Sequence, residues 1–350
     1  MNGNLLIKSE NIEALKYLLD VKGLRGKVDL IYTDPPFATD CDFRMSGNRA
    51  ATVSHSRSGQ IAYTDHLLGK DFVEYIRERL LLMRELLSDR GSIYLHTDYK
   101  IGHYLKVMMD GVFGIDNFRN DITRVKCNPK NFKRIGYGNI KDMILFYTKT
   151  DNPIWHEPKM PYTAKDLERL FPKVDKMGRR YTTVPLHAPG ETQNPKRFKG
   201  ILPPEGRHWR TAPELMEQWD KEGLIEWSES GNPRKIIYAD EKEGKRMQDI
   251  WEFKDPQYPI YPTEKNIDFI RMIVRTSSDE GSIVVDPFCG SGTTLMAAAT
   301  ERRNWIGIDR SEAAIKVTKE RMMMGELSIF SENIDFIDLS ERREVRTVSV

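Results

Sequence analysis

The 350-residue chain has little cysteine and no long apolar segment, and both absences exclude classes of protein. Its three cysteines, Cys41, Cys127 and Cys289, lie far apart without Cys-x-x-Cys spacing, which argues against a disulfide framework and against a zinc site. No apolar run approaches the roughly 18 residues of a membrane-spanning helix, and the N-terminus lacks the apolar segment of a signal peptide. We therefore expect free thiols, no bound metal, no membrane and a reducing, cytoplasmic location.

The chain also lacks a large net charge, because its 54 basic and 52 acidic residues give a net charge of only +2. This balance gives no general attraction to nucleic acid, so any DNA-binding surface must come from local clusters. The seven histidines include no pair four residues apart, as a metal-binding helix would have. His96 ends an apolar segment, where it could face a site at the end of the strand, but we expect a structural role instead.

Asp34-Pro35-Pro36-Phe37 follows the apolar segment 28–33, which predicts a buried strand that ends in a tight loop. Such a loop suits an exocyclic amino group, whose lone pair is delocalised until both N–H protons meet acceptors. Asp34 and the carbonyl of Pro35 can supply the acceptors, and Phe37 offers a ring on which a flipped base stacks. The alternative is an ordinary turn at a strand end.

A second loop lies about 250 residues later, where the apolar segment 282–286 runs into Pro287-Phe288-Cys289-Gly290-Ser291-Gly292-Thr293. Its glycines allow close backbone approach, and the helix that follows presents N-terminal amides. The spacing is neither a dinucleotide fingerprint nor a Walker A loop. The next strand, 304–308, ends in Asp309, which suits ribose hydroxyls but would also cap the following helix; both roles can hold together.

These two motifs resemble those of the β-class DNA amino-methyltransferases, in which the catalytic motif precedes the cofactor motif. The likeness is closest to Mod-like members of restriction–modification systems. Ser9-Glu10 stands where the family usually has Gly-Asp, and 261–266 is similar to its His-Pro-Thr-Glu-Lys-Pro segment. The resemblance implies S-adenosylmethionine as cofactor, catalytic roles for Asp34, Pro35, Pro36 and Phe37, and cofactor contacts from Glu10, Asn11, Thr263, Lys265, Asp286, Phe288, Gly290, Ser291, Gly292, Thr293 and Asp309.

The hydrophobic pattern alternates between strands and helices, which predicts an α/β, Rossmann-like, doubly wound and mostly parallel sheet. Both motifs then lie at carboxyl ends of strands, where ligands bind in such sheets. The resemblance implies a circularly permuted methyltransferase with seven strands, one of them antiparallel at the edge. Predicted strands are 4–8, 28–33, 92–97, 143–147, 282–286 and 304–308; predicted helices are 11–20, 71–88, a helix after Asp98 to about 112, 264–277, 293–301 and 311–324.

Three domains are expected: a catalytic half (1–150), an insertion (151–254) and a cofactor half (255–350). Within the first, 38–65 is predicted to be a mobile loop that closes over DNA, or else a tolerated surface loop. The insertion holds the target-recognition region in the resembled family; the alternative is a solvated segment of mixed charge. Its basic residues interleave with aromatics, and those predicted to bind DNA are Lys196, Arg197, Lys199, Arg207 and Arg210.

The sequence therefore predicts a methyltransferase that acts on adenine N6 of a flipped base in double-stranded DNA. Cytosine N4 is the alternative target, since adenine is favoured mainly because Asp rather than Ser opens the first motif. A catalytically silent DNA-binding subunit is the alternative of another class. No helicase or nuclease motif is present, so any restriction endonuclease would be a separate polypeptide. The resemblance also implies a homodimer. Its candidate interfaces are Met322–Met324 and the apolar 264–277 helix, and the alternative for both segments is the core.

Overall fold

The computed structural model of the protein describes residues 3–35, 41–46, 49–50, 60–65, 69–129, 133, 135–257, 264–323 and 334–340. The chain divides into two compact units. The first unit joins Met1–Pro158 to Gln248–Val350, and the second is the inserted segment Lys159–Met247, which is shorter at both ends than the predicted insertion. No helix in the described ranges is long and apolar enough to cross a membrane.

The part of the first unit that precedes the insertion alternates strands with helices. Its strands are β1 (Asn4–Lys8), β2 (Val28–Thr33), β3 (Cys41–Ser46), β4 (Arg49–Ala50), β5 (Gln60–Asp65), β6 (Leu87–Thr97), β7 (Phe118–Val125) and β8 (Lys141–Thr148). Its helices are α1 (Asn11–Asp20), α2 (Gly69–Leu86) and α3 (Gly102–Phe113), and Ile115–Asn117 forms a 3-10 turn. As predicted, Asp98 caps the start of α3, because its Oδ1 accepts the N–H groups of Lys100 and Ile101.

The inserted unit consists of short antiparallel strands and two helices. Its strands are β9 (Lys159–Met160), β10 (Lys173–Val174), β11 (Arg180–Pro185), β12 (His187–Pro189), β13 (Arg207–Trp209), β14 (Ile225–Trp227), β15 (Pro233–Tyr238) and β16 (Lys245–Arg246). Its helices are α4 (Ala164–Leu170) and α5 (Pro213–Lys221), with a 3-10 turn at Ala239–Glu241. The largest sheet has the order β10-β11-β15-β14, and a small core forms around Leu186, Phe198 and Met216.

After the insertion the first unit resumes the alternation of strand and helix. Its elements are β17 (Ile250–Glu252), α6 (Ile267–Ser277), β18 (Ile283–Asp286), α7 (Thr293–Thr300), β19 (Asn304–Asp309), α8 (Glu312–Met323) and β20 (Ile334–Asp338). Nine of the described strands of this unit form one large sheet of order β17-β7-β8-β6-β2-β18-β19-β1-β20. All of its strands are parallel except β8, so the predicted α/β, doubly wound fold is confirmed.

The two halves of the unit meet at the centre of this sheet, where β18 and β2 lie side by side. Val284 pairs with Leu30 and Val285 with Ile31 in parallel register. From this pair the chain winds in opposite directions, since β18 leads through α7 to β19 whereas β2 leads through α2 to β6. Ligands bind such sheets beyond the carboxyl ends of the strands at this point of reversal. Both sequence motifs begin there.

The predicted number of strands and the predicted edge position of the antiparallel strand were both wrong. The large sheet has nine described strands rather than seven, and the antiparallel strand β8 lies between β6 and β7 instead of at an edge. The segment 38–65, predicted to be a loop, contains a three-stranded antiparallel sheet of order β4-β3-β5. Polar and apolar residues alternate in 41–46, and this pattern indicates a strand although the polar composition of the whole segment favours a loop.

The 264–277 helix, for which the sequence left interface and core as alternatives, belongs to the core. The apolar stripe of α6 is fully buried at Phe269, Ile270, Ile273 and Val274. Asn266 begins the helix, because its Oδ1 accepts the N–H groups of Asp268 and Phe269. In the other candidate interface, Met322 is buried and Met323 is exposed, while Met324 lies outside the described residues.

Candidate active site

Asp34 follows β2 directly, and its two carboxylate oxygens have different surroundings. Oδ2 accepts from the Nζ of Lys265 at 2.6 Å. Oδ1 is buried and has no hydrogen-bond partner among the described residues, while the Nδ1 of His96 lies 3.8 Å away. A buried acceptor that lacks a donor costs free energy. Oδ1 is therefore placed to receive an N–H group from a ligand.

Lys265 is a buried cation that neighbouring carboxylates hold in its charged form. Burial opposes the charge, but Asp34, Asp255 and Asp142 together raise the pKa of Lys265 above its ordinary value. Its contact with Asp34 fixes that carboxylate from one side. The predicted contact between Lys265 and the cofactor stays a prediction.

His96, at the end of β6, is fully buried and lies beside Asp34 in a polar network. Its Nδ1 lies 2.7 Å from the hydroxyl of Tyr32, and its Nε2 lies 3.2 Å from Oδ2 of Asp142. Asp142 also accepts from Lys126. The ring of His96 packs edge-on against Phe269 at 5.9 Å. This network lines the edge of the sheet where β2 and β6 end and the antiparallel β8 begins, and Asp34 stands there.

Two further side-chain oxygens at the same edge are buried without a partner among the described residues. They are the Oγ1 atoms of Thr33 on β2 and Thr97 on β6. Thr33, Thr97 and Asp34 all stand at the carboxyl ends of the adjacent strands β2 and β6. Native cores pair most buried polar groups, so unpaired polar atoms at this edge are typical of a ligand site.

The glycine loop after β18 is tied to the end of β19 by Asp309. Oδ2 of Asp309 accepts the N–H of Gly290 at 2.9 Å, and its Oδ1 accepts the N–H of Ser311 at 2.8 Å. The second contact closes a turn before α8, whereas the N–H of Ala314 in the first turn of that helix is accepted by the hydroxyl of Ser311, so the helix cap expected of Asp309 is supplied by Ser311. Burial raises the pKa of Asp309. The carboxylate therefore shapes the loop in addition to any contact with a ribose.

Gly292 begins α7 in the left-handed conformation, with φ of +76°. A Cβ added there would lie 2.8 Å from Cγ2 of Thr318 and 2.9 Å from its Oγ1. Thr318 in turn donates to the carbonyl of Gly290 at 2.9 Å. Glycine is required at 292 both by its backbone angle and by the side chain from α8 that packs on it.

Glu264 and the glycine loop are joined through Arg321 of α8. One guanidinium nitrogen lies 2.8 Å from Glu264, and the other donates to the carbonyl of Ser291 at 3.0 Å. The second nitrogen also lies 3.5 Å from Oγ1 of Thr293. Lys265 contacts Asp34 and Glu264 contacts Arg321, so this short segment links the two motifs.

Glu10 and Asn11, at the turn after β1, are held by arginines. Arg79 donates to Asn11 and lies 3.5 Å from Glu10, and Arg310 donates to the other oxygen of Glu10 at 3.0 Å. The turn adjoins the end of β19, because Ser9 donates its N–H to the carbonyl of Asp309 at 3.1 Å. The structure thus brings Glu10, Asn11 and Asp309 to one end of the sheet.

Comparison with known proteins agrees with this geometry. The N6/N4 DNA methylase model matches residues 28–320, a range that includes both motifs. The chain is 41% identical over 330 residues to the type II methyltransferase M.EcaI of Enterobacter cloacae, which covers 92% of this chain and 70% of that protein. This chain belongs to the N6/N4 DNA methylase family.

The methylase also resembles more distant proteins. The Mod subunit of the type III restriction–modification enzyme StyLTI from Salmonella typhimurium is 24% identical, over 84% of this chain and 49% of that subunit, so the chain spans about half of that relative. The solved cytosine-N4-specific PvuII DNA methyltransferase has a TM-score of 0.53 and 12% identity, with 96% of this chain and 95% of that chain covered. That likeness shows the fold alone. The predicted restriction–modification type of the family is confirmed.

The cofactor of the methylase is S-adenosylmethionine, as predicted. The described residues fit it: the glycine loop leads into the N-terminus of α7, Asp309 lies at the end of β19, and Asp286 ends β18. Burial raises the pKa of Asp286 to about 7, against hydrogen bonds from Thr294 and from the N–H of Phe288. A buried carboxyl with this pKa can pair with a cationic ligand.

Some predicted residues cannot be placed. Pro36, Phe37 and Thr263 lie outside the described residues. Pro35 is described and buried, and Phe288 packs partly buried against the core. The predicted DNA-binding residues lie in the inserted unit, where Lys196 pairs with Glu214 at 3.0 Å. In the same unit Lys199 pairs with Asp220, Arg197 donates to the carbonyl of Gly200, and Arg207 and Arg210 contact His187.

Several residues of the site were not predicted. His96 could face the site from its place at a strand end, but a structural role was favoured; it lies 3.8 Å from the carboxylate of Asp34. Asp142 and Arg321 carried no sequence signal, because each acts through a partner more than 40 residues away. A buried histidine at the carboxyl end of a parallel strand was the one available hint.

Proposed function

We propose that the methylase transfers a methyl group from S-adenosylmethionine to adenine N6 of a base flipped out of duplex DNA at a specific sequence. The observation that carries the proposal is the difference between the surroundings of the two carboxylate oxygens of Asp34. One oxygen is fixed by Lys265 at 2.6 Å, and the other is buried without a partner among the described residues. This acceptor stands where the sheet reverses, beside the glycine loop on β18.

The side chains of this site orient the nucleophile. Oδ1 of Asp34 accepts one amino N–H and the carbonyl of Pro35 accepts the other, so that the nitrogen lone pair localises and turns toward the methyl group. Proline fixes φ at Pro35, which holds its carbonyl in place. S-adenosylmethionine supplies an activated methyl group on a sulfonium. No covalent intermediate with the protein is needed.

Adenine is favoured over cytosine because aspartate opens the motif, a tendency of the resembled family. Both bases present an amino group beside a ring nitrogen, so Asp34 serves either one. Methylation-sensitive sequencing of DNA from a host that expresses the chain decides between them and gives the recognition site. We expect N6-methyladenine within one short sequence. N4-methylcytosine would contradict the choice of base.

Asp286 is proposed to meet the cationic end of the cofactor, which makes cofactor affinity depend on pH. Its pKa of about 7 leaves the carboxyl mostly neutral at pH 6 and ionised at pH 8. The ionised form binds a cation better, so affinity is lost as the pH falls through 7. We expect the dissociation constant for S-adenosylmethionine to fall roughly tenfold between pH 6 and pH 8.

Isothermal calorimetry at several pH values measures this dependence. Asp286→Asn is the matched variant, because it keeps an acceptor for the N–H of Phe288 but cannot ionise. Its affinity should be lower and flat over the same range. A wild-type affinity that does not change between pH 6 and pH 8 would exclude Asp286 from the cofactor contact.

The inserted unit is proposed to bind the DNA backbone and to recognise the target sequence. Lys196 and Lys199 are paired only at the surface, and exposed ion pairs are weak enough for phosphate to displace their carboxylates. Replacing Arg207 and Arg210 together by glutamine should weaken DNA binding and lower the salt dependence of log K by about one unit per lost phosphate contact. Cofactor affinity should not change.

Fluorescence anisotropy with a labelled duplex at several salt concentrations measures both quantities. Lys165→Gln provides the control, since this exposed lysine of α4 lies in the same unit but outside the predicted cluster. The assignment fails if the double variant and the control have the same affinity and the same salt slope.

The working unit is proposed to be a homodimer, on the resemblance alone. A second subunit can add phosphate contacts and help to distort the duplex while one site holds the flipped base. Sedimentation of the DNA-bound enzyme decides the matter, because a one-chain complex that still methylates would refute the dimer.

A further inference from the structure

Tyr32 and Asp142 hold His96 from opposite sides of its ring. The Tyr32 hydroxyl lies 2.7 Å from Nδ1, and the Asp142 carboxylate lies 3.2 Å from Nε2. All three side chains are at most 2% exposed. Oδ1 of Asp34, the unpaired acceptor of the site, lies 3.8 Å from the same Nδ1. Whether Nδ1 carries a proton therefore decides whether Oδ1 of Asp34 faces a hydrogen-bond donor or an acceptor.

The partners of His96 determine which nitrogen carries its proton. Burial opposes ionisation of Asp142, but the hydrogen bond from His96 and the charges of Lys126 and Lys265 hold the pKa of Asp142 well below its usual range. Asp142 is thus an acceptor, so Nε2 carries the proton. Burial raises the pKa of Tyr32 well above its usual value, so Tyr32 keeps its proton and donates it to Nδ1.

We propose that Tyr32 is a positioning residue for methyl transfer: its hydroxyl keeps Nδ1 of His96 unprotonated, so that Oδ1 of Asp34 stays available to the target amino group. The inference rests on the role proposed above for Asp34. A protonated Nδ1 would donate to Oδ1 and compete with the N–H of the base. Because Lys265 already donates to Oδ2, Asp34 would then have no carboxylate oxygen available to accept the N–H of the base.

Charged groups face His96 from each element packed around it. Asp34 follows β2, Asp142 lies on β8, and Lys265 precedes α6. Arg124 of β7 lies 4.0 Å from Asp142. Burial lowers the pKa of His96, and the two carboxylates oppose that effect. Burial thus favours the neutral ring, and the hydroxyl of Tyr32 adds to this effect by donating to Nδ1.

Removing the Tyr32 hydroxyl should therefore let His96 ionise. In Tyr32→Phe, Nδ1 of His96 and Oδ1 of Asp34 are two acceptors 3.8 Å apart, and Tyr32 no longer donates to Nδ1. Protonation of Nδ1 satisfies both atoms, so the pKa of His96 should rise in the variant. Below that pKa the imidazolium donates to Asp34 and methyl transfer slows.

Single-turnover methylation rates between pH 6 and pH 9, with saturating cofactor and DNA, test the proposal. Tyr32→Phe should be slower than wild type by roughly tenfold at pH 6 and should recover toward the wild-type rate by pH 9. Tyr94→Phe is the matched control. It removes a buried tyrosine hydroxyl from the neighbouring strand β6, where the partner is Ser277 at 2.8 Å. Its profile should be parallel to that of wild type.

Nitrogen NMR of His96 in the wild-type protein gives a second test that does not depend on any variant folding. We expect a neutral ring with its proton on Nε2 at pH 7. A proton on Nδ1 at that pH, or a Tyr32→Phe profile parallel to that of Tyr94→Phe, would overturn the proposal. If either of these outcomes is found while Asp34→Asn is inactive, only the proposed role of Tyr32 is refuted. Full activity of Asp34→Asn would instead remove the proposed role of Asp34.

Discussion

Replacing Asp34 by asparagine is expected to lower the methyl-transfer rate by roughly 10²–10³-fold, equivalent to about 3–4 kcal/mol, while cofactor affinity stays within a few-fold. The carboxylate polarises the target amino group through Oδ1, and the neutral amide cannot replace its charge. Asp34→Ala should abolish methyl transfer. It would in addition open a cavity beside Lys265, so asparagine is the cleaner substitution.

Single-turnover rates and calorimetry with S-adenosylmethionine separate the two effects. Asp29→Asn serves as control, because Asp29 lies on the same strand β2, near its amino end, and bonds to Ser88 at 2.8 Å. This variant should turn over like wild type. Near-wild-type turnover by Asp34→Asn would remove Asp34 from the mechanism.

Gly292→Val is expected to weaken S-adenosylmethionine binding by roughly tenfold or more, because the loop cannot keep its shape. The backbone at Gly292 has φ of +76°, and a Cβ would lie 2.8 Å from Thr318. From sequence alone we expected valine to collide with the cofactor. The structure adds a collision with α8 that displaces the start of α7 before any ligand arrives.

Gly281→Val separates backbone strain from the collision. Gly281 has φ of +79°, close to that of Gly292, but nothing lies within 4 Å of its Cβ position. It should lower stability and leave cofactor affinity nearly unchanged. Asp309→Ala should also weaken cofactor binding, since it releases the N–H of Gly290 and removes the proposed ribose acceptor. Unchanged affinity in both Gly292→Val and Asp309→Ala would exclude this loop as the pocket.

The central elements of the fold followed from the sequence because their signals are local. The apolar segments 28–33 and 282–286 became the adjacent strands β2 and β18, and the α/β class was confirmed. Strand β7 was missed because Phe118–Val125 is half polar, and β17 because it has only three residues. Pairing with β8 and β7, not residue preference, makes these segments strands.

The site was predictable only where a motif lies in one stretch of chain. Asp34, Gly290 and Gly292 stand at strand ends that a doubly wound sheet must bring together. The contacts of Asp34 with Lys265 and of Glu264 with Arg321 join segments far apart in sequence, so spacing could not reveal them. His96 was underestimated for the same reason, because its partner Asp142 lies on β8, which carries no motif.

The central claim is that Asp34 and the glycine loop form a site that methylates an exocyclic amino group of DNA. The most direct measurement incubates the purified protein and its Asp34→Asn variant with DNA and methyl-labelled S-adenosylmethionine, digests the DNA and identifies the labelled nucleoside by mass spectrometry. We expect N6-methyldeoxyadenosine from the wild-type protein and a strongly reduced amount from the variant. Label on a ring carbon, or equal label from both proteins, would contradict the account.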